Sequence, residues 1–441
     1  MTVIAPVSVA PGDVHALLGQ HLLVDGFGFV LDLSASRGSR LVDARDGSSY
    51  LDLFTFFASS ALGMNHPAIT SDPGFTEDLL EAARNKPSNS DVYTVAMARF
   101  VDTFARVLGD PALPHLFFVE GGALAVENAL KVAFDWKSRW NEAHGRSPEL
   151  GTRVLHLREA FHGRSGYTLS LTNTDPVKVD RFPKLDWPRV SSPYLSEGVD
   201  VEAREADTLA QAREAFARHP HDVACFVMEP IQGEGGDHHF RPAFLQAMQA
   251  LCHEHDALFV LDEVQTGCGI TGTPWAYQQL GVQPDVVAFG KKTQVCGVMA
   301  GGRVDEVPDN VFAVSSRINS TWGGSLVDMV RARRILEVIE AEDLFAHATV
   351  AGEHLLTLLR GLAVRHSTVE QVRGRGLMCA FSLPDTGSRD AVLTSLRDDE
   401  RVLLLGSGSR SIRFRPALNV SEAELEAGVA ALDRVLEGLA Q

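Results

Sequence analysis

The chain of 441 residues has no uninterrupted apolar run long enough to cross a bilayer, so no helical membrane span is expected. It also lacks a basic excess. Asp and Glu total 57 against 40 Lys and Arg, a formal charge of -17, and neither nucleic acid nor an anionic membrane suits an acidic surface as main partner. Cysteine is sparse: Cys225, Cys252, Cys268, Cys296 and Cys379 are scattered, odd in number and without C-x-x-C spacing. Reduced thiols in a cytosolic protein fit that pattern better than a disulfide framework or a zinc site. The first residues carry neither a basic region nor a long apolar core, so no signal peptide is read and a cytoplasmic location is expected. Internal repeats and low-complexity tracts are missing too. What remains is the composition of an ordinary globular enzyme, 45% hydrophobic and 22% charged.

The most informative stretch runs from Ala257 to Thr293. Ala257–Leu261 is a short apolar run ending in Asp262-Glu263, and Asp285–Phe289 is a second one ending in Gly290-Lys291-Lys292. Such runs between turn signals read as buried strands of a parallel sheet, and each delivers a charged residue to a strand's C-terminal end, where open α/β sheets carry their sites. A lysine at one strand end and an acid at another suit pyridoxal phosphate chemistry. The lysine forms a Schiff base, and the carboxylate keeps the pyridine nitrogen protonated as an electron sink. A strand-terminal Asp and Lys also occur in α/β proteins with no such role. Gly267, Gly269 and Gly272 match G-x-G-x-x-G but lead into Thr273-Pro274 in place of a long apolar helix, which argues against a dinucleotide site and a dehydrogenase.

Along the chain, a short helix is expected near Val14–Leu23, a hairpin over Arg40–Phe54 around Asp46-Gly47, and an amphipathic helix from about Tyr93 to Leu108. The main sheet should start near His115. After the strand Leu116–Val119, Gly121-Gly122-Ala123 opens a helix running to about Trp140; two glycines there bring backbone N–H groups near an anion or simply make a tight turn. Val154–Leu157 precedes Phe161-His162-Gly163-Arg164, where an aromatic could cover a planar ring and a guanidinium could grip a carboxylate, or the pair could be a packed Phe and a solvated Arg. Asn173–Val199 reads as a Pro-punctuated surface segment, followed by a helix over about Glu202–Arg218. The strand Val223–Met228 leads into Glu229-Pro230 and the loop Ile231–Gly236, which holds Glu234 between glycines. Asp237-His238-His239 and His253-Glu254-His255 lack metal-site spacing, so no metal is expected. The polar loop Asn319–Gly324 either binds phosphate or caps a helix over Leu326–Ala341; a second helix lies near Leu344–Arg360. Strands near Gln371, Leu377–Leu383, Val402–Leu405 and Ser411–Phe414 read as a smaller α+β unit. The division expected is an N-terminal arm and part of a small domain over 1–90, a large domain over 91–340, and a C-terminal small domain over 341–441.

In order and spacing these pieces together resemble the class III, or ω-amino acid, aminotransferases of pyridoxal phosphate fold-type I. The residues that carry the resemblance are Gly122-Ala123 in GGALAVENALK, Phe161–Arg164, Glu229–Glu234, Asp262–Gly267, Gly290-Lys291, Ser320–Gly324 and Arg413–Pro416, with Lys291 following Asp262 by 29 residues. They span nearly the whole chain. The fold class implied is α/β, a large domain with a mostly parallel sheet flanked by helices, plus a smaller α+β domain. The resemblance assigns Lys291 to the Schiff base and proton transfer, Asp262 to the pyridine nitrogen, Gln265 to the ring's phenolic oxygen and the substrate, and Phe161 to stacking on the ring. Gly122 and Ala123 would bind the phosphate through backbone N–H groups. Thr321 would reach in from a second subunit, which implies a homodimer with shared sites, and Asn319 joins the substrate-binding set. The family often has Ser or Thr at Gly121, Glu at Leu124 and Arg at Ile270; these departures, with NKPSNSDVY and GKKTQVCGVMAG, resemble the branch acting on the ε-amino group of L-lysine.

The reaction implied is L-lysine plus 2-oxoglutarate giving L-2-aminoadipate 6-semialdehyde and L-glutamate. One site must then accept two unlike molecules in turn. Arg413 would bind the carboxylate beside the keto group of 2-oxoglutarate and Arg164 the distal one. With lysine, Arg164 would hold the carboxylate while Glu234 neutralises Arg413. Other ω-aminotransferases, acting on ornithine, acetylornithine or 4-aminobutyrate, are the nearest alternatives, and a vitamin B6-binding regulatory protein without turnover is a more distant one.

Overall fold

The computed structural model describes residues 8–439. Its centre is a seven-stranded sheet of β1 (His115–Val119), β2 (Arg153–Leu157), β3 (Arg189–Val190), β4 (Val223–Met228), β5 (Leu258–Asp262), β6 (Val286–Phe289) and β7 (Cys296–Ala300), in the spatial order β1-β7-β6-β5-β4-β2-β3. β7 runs antiparallel to both of its neighbours and the other pairs are parallel. Alternation along the strands explains why they read as continuous apolar runs. Leu258 and Val260 of β5 face one core together with Ala224 and Val227, whereas Phe259 and Leu261 face another with Phe226 and Met228. A sheet covered on both faces leaves no strand position for water.

The helix α1 (Gly122–Ala143) covers the first of these faces, packing across β7, β6 and β4. Small side chains along its first turns, Ala125, Ala129 and Ala133, are fully buried and let its axis lie close to the sheet; Trp136, one turn on, is fully buried as well. α2 (Val201–Arg218) and α3 (Pro242–Glu254) precede β4 and β5. α4 (Leu326–Ala341) is capped by Ser325, whose side chain accepts from the Asp328 N–H, and it packs on the helices Pro73–Arg84 and Val95–Val107. α5 (Leu344–Arg365) leads into the C-terminal part.

That part is built on an antiparallel sheet ordered Glu370–Arg375, Met378–Ser382, Ser411–Phe414 and Leu405–Ser407. A third sheet ties the chain's two ends together: the hairpin Arg40–Val42 and Ser49–Asp52 receives Val402–Leu403 as a parallel partner. The expected run Val402–Leu405 is therefore two strands in two sheets.

Other differences from the sequence expectations are local. The N-terminal helix spans only Val14–Leu18. The helix Pro73–Arg84, capped by Asp72, and the strand β7 lie in stretches whose sequence patterns predict no regular element. The surface segment 173–199 contributes β3 at the sheet's edge. The Glu234 loop is a two-residue strand and a single helical turn, Gly233–Gly236.

Candidate active site

The C-terminal ends of five parallel strands converge on one cavity of about 320 Å³, within the range usual for small-molecule sites. Gly122 and Ala123 enter after β1, Phe161 to Arg164 after β2, Glu229 after β4, Asp262 at the end of β5, and Lys291 after β6. A larger hollow of about 620 Å³ bordered by Phe134, Tyr167 and Trp187 shares none of these residues, and its Arg153 is already paired with Asp222 at 3.0 Å. Converging strand ends, not size, mark the site.

Parallel pairing sets Asp262 opposite Ala288, three residues before Lys291. The Asp262 carboxylate accepts from the Val264 N–H at 3.0 Å and lies 2.7 Å from His162 Nδ1. Burial works against a charged His162, but the hydrogen bond and the charge of Asp262 outweigh it and raise its pKa, so Nδ1 donates to the carboxylate. His162 thus orients the Asp262 carboxylate. His162 lies in the FHGR motif, where the sequence pattern assigns roles only to Phe161 and Arg164. Glu229 is assigned none either. It accepts from the N–H groups of Phe161 at 3.0 Å and Gly233 at 2.9 Å, clamping two site loops together, and burial pushes its pKa up to about 7. A signal existed: like Asp262, it is an acid at the C-terminal end of a buried apolar run.

Lys291 has a positive φ of 55°, uncommon for a residue with a side chain, and follows an extended Gly290. Enclosure in the pocket, followed by the nearby Arg413 cation, lowers its pKa to about 8. Its neighbour Lys292 is directed elsewhere: its buried side-chain nitrogen donates to the Ala58 carbonyl at 2.8 Å. That carbonyl closes a left-handed turn in which Thr55, Phe56, Phe57 and Ala58 have φ of 42, 52, 60 and 68°. Each such residue costs about 1–2 kcal/mol. A bond from Gln294 Nε2 to the Ser59 carbonyl at 2.9 Å holds the turn against the lysine segment, and one from Thr55 Oγ1 to the Arg415 carbonyl at 2.6 Å ties it to the C-terminal part.

Beyond Gln265, which forms one wall, lies a charged cluster. Arg413, 2% exposed, donates to Glu234 Oε2 at 2.6 Å and reaches Gln265 Oε1 at 3.5 Å. Gln265 Oε1 also accepts from Arg415 Nε at 3.0 Å, and Arg415 forms a fully buried pair with Asp237. Burial opposes ionisation of Glu234, but Arg413 and Lys178 overcome it and lower its pKa. Arg164 is exposed at the cavity mouth and makes no ion pair among the described residues. Asn319 and Thr321 are exposed and stand outside the cavity of their own chain; Ser90 and Asn89 fix their loop through the Ser320, Trp322 and Gly324 backbone.

Fold and site together define an aminotransferase of the pyridoxal phosphate-dependent kind. The chain belongs to the class III aminotransferases, whose family model, "Aminotransferase class-III", matches residues 26–436. It is 66% identical over 430 residues to the L-lysine-epsilon aminotransferase of Mycobacterium tuberculosis, covering 97% of this chain and 96% of that protein. The enzyme of the same name from Streptomyces clavuligerus is 60% identical over 437 residues, covering 97% and 95%. A solved structure described as lysine aminotransferase from M. tuberculosis in the internal aldimine form superposes with a TM-score of 0.97 at 65% identity, covering 98% of this chain and all of that one.

The cofactor of this family is pyridoxal phosphate, and the cavity fits it. Gly121 adopts φ 104° at the N-terminus of α1 with no side-chain cap, so the first N–H groups of the helix stay available to a phosphate. A Ser or Thr there would be strained. At Gly163, φ 121°, a Cβ would lie 2.5 Å from that of Ala123, so the Phe161 loop can close on the phosphate end only through glycine.

Proposed function

We propose that this chain is an L-lysine 6-aminotransferase, transferring the ε-amino group of L-lysine to 2-oxoglutarate to give L-2-aminoadipate 6-semialdehyde and L-glutamate in two half-reactions. The observation that carries the reading is the Glu234–Arg413 pair at 2.6 Å, set beside the lysine-bearing cavity. An arginine ready for a carboxylate, but masked, suits a site whose amino donor carries no carboxylate at the reacting carbon and whose acceptor does.

Lys291 would hold the cofactor covalently, Asp262 would face its ring nitrogen with His162 behind it, Phe161 would cover the ring, Gln265 would border its phenolic oxygen, and Gly122 and Ala123 would bind its phosphate. Bound there, pyridoxal phosphate supplies a sink for the electron pair left behind when a proton departs. Lys291 Nζ would take a proton from the ε-carbon of the bound lysine. Its lowered pKa of about 8 keeps a useful fraction of neutral amine near neutral pH. Arg164 at the mouth anchors the carboxylate of lysine, so the chain lies inward with its ε-carbon at Lys291. With 2-oxoglutarate, Glu234 leaves Arg413, which takes the carboxylate beside the keto group, and Arg164 takes the distal one.

Thr321 and Asn319, exposed on their own chain, act in the cavity of a second copy, so the working form is a homodimer with shared sites. Exposed Val92, Tyr93, Val95 and Trp322 suit burial in such an interface. The cytoplasm is the location that suits five free, buried cysteines. The three-part division at residues 90 and 340 belongs to the same proposal. A product assay across ω-amino donors tests the function: L-lysine should be preferred to ornithine, acetylornithine and 4-aminobutyrate. Preference for one of those would replace the reading, and binding of the cofactor without glutamate formation from any donor would favour a regulatory protein.

A further inference from the structure

We propose that Lys178 is the second anchor of Glu234: it holds the carboxylate while Arg413 is given over to 2-oxoglutarate, and so sets how readily the site passes from its lysine form to its 2-oxoglutarate form. The inference rests on the reading of Glu234 as the mask of Arg413.

The Glu234 carboxylate is divided between two cations. Oε2 accepts from Arg413 at 2.6 Å, and Oε1 accepts from Lys178 Nζ at 2.5 Å. The two come from unlike places. Arg413 belongs to the strand Ser411–Phe414 in the C-terminal sheet, while Lys178 ends a short 3-10 turn, Pro176–Lys178, in the surface segment that follows β2. Asp175 pins that turn, accepting from the Val177 N–H on Oδ1 at 3.0 Å and from the Lys178 N–H on its carbonyl at 3.1 Å. The Lys178 ammonium also lies 5.7 Å from the centroid of Phe161, which lines the cofactor cavity, and pairs with no other carboxylate among the described residues. Its side chain is 20% exposed and that of Glu234 is 26% exposed.

A carboxylate this sheltered, swung away from its only cation, would be left uncompensated, and opening the mask would be slow and unfavourable. With Lys178 on the other oxygen, Glu234 can turn about the bond it keeps and lose one partner of two. Lys178 also draws charge away from the Arg413 contact, making that well shallower. Both effects favour the open form. Lys178 is thus a positioning residue for the acceptor half-reaction and touches neither substrate.

Single-turnover kinetics of the holoenzyme test this. Lys178→Met keeps the length and apolar stem beside Phe161 and removes the charge. It should raise the apparent Kd for 2-oxoglutarate in the second half-reaction by about tenfold, while the L-lysine half-reaction stays within about twofold of the parent. Lys178→Arg should restore the acceptor step, and in a Glu234→Ala background Lys178→Met should change nothing further, because its only route is through Glu234. Equal losses in both half-reactions, a selective loss with L-lysine, or an additional loss in the Glu234→Ala background would each overturn the proposal. Failure of the underlying mask would show differently: Glu234→Ala alone would impair both half-reactions equally, whatever Lys178→Met does.

Discussion

Replacing Glu234 by alanine leaves Arg413 almost without partners. Its side chain is 2% exposed, Gln265 Oε1 is 3.5 Å away, and its Nε has no hydrogen-bond partner among the described residues. Removing one member of a buried ion pair typically costs about 3–5 kcal/mol. Because the Glu234 side chain is 26% exposed, water can enter the vacated space, and about 2–3 kcal/mol is the better expectation. This is a loss of about 30- to 150-fold. The loss should fall on the L-lysine half-reaction, in which nothing else neutralises Arg413. 2-Oxoglutarate and L-glutamate bring their own carboxylate, so their half-reaction should be unchanged or faster. An unmasked Arg413 should also admit α-carboxylates at the reacting carbon and shift donor preference toward α-amino acids. Stopped-flow single turnovers with each substrate measure both effects. Equal losses with L-lysine and 2-oxoglutarate would refute the reasoning and reduce Glu234 to a loop residue.

Four further outcomes rest on the same structure. Lys291→Ala should abolish covalent attachment of pyridoxal phosphate, and borohydride reduction with peptide mapping of the parent should label Lys291; a label on Lys292 would contradict the placement of that side-chain nitrogen against Ala58. Since the Lys291 pKa is lowered from 10.5 to about 8, its neutral form dominates above that pH, so cofactor uptake by the apo chain should level off near pH 8 and not near 10.5. Asp262→Asn should slow both half-reactions while phosphate and lysine contacts retain the cofactor, and it should lower the His162 pKa, visible in the imidazole resonances, because the pairing that raised it is gone; near-normal turnover would remove Asp262 from the role. Asp237→Asn strands the fully buried Arg415 and should lower stability by about 3–5 kcal/mol, read as a fall in the urea midpoint of the holoenzyme; an unchanged midpoint would show that the pair is dispensable.

Much of this was decided locally. Runs such as Val223–Met228 and Ala257–Leu261 are apolar at every position because both faces of the sheet are covered, and that pattern marks strand and burial together. Strand ends, glycine turns and helix starts are likewise near-neighbour properties, so Asp262, Lys291, Gly122 and Phe161 stood out in the chain. Pairing across the chain was another matter. Glu234 and Arg413 are 179 residues apart, Glu234 and Lys178 are 56 apart, and His162 reaches Asp262 across 100. No local periodicity encodes which of 57 acids meets which of 40 bases; the strand order and the docking of the C-terminal sheet select the partners. The antiparallel β7 and the split of Val402–Leu405 between two sheets are of the same kind, since an apolar run specifies that it will be buried and not against which neighbour. The sequence alone marked most strands of the main sheet, the turns after them and the chemical groups at their ends. The tertiary structure decided which charges share a partner, because ion pairing depends on distance in space, and only the completed fold sets that distance.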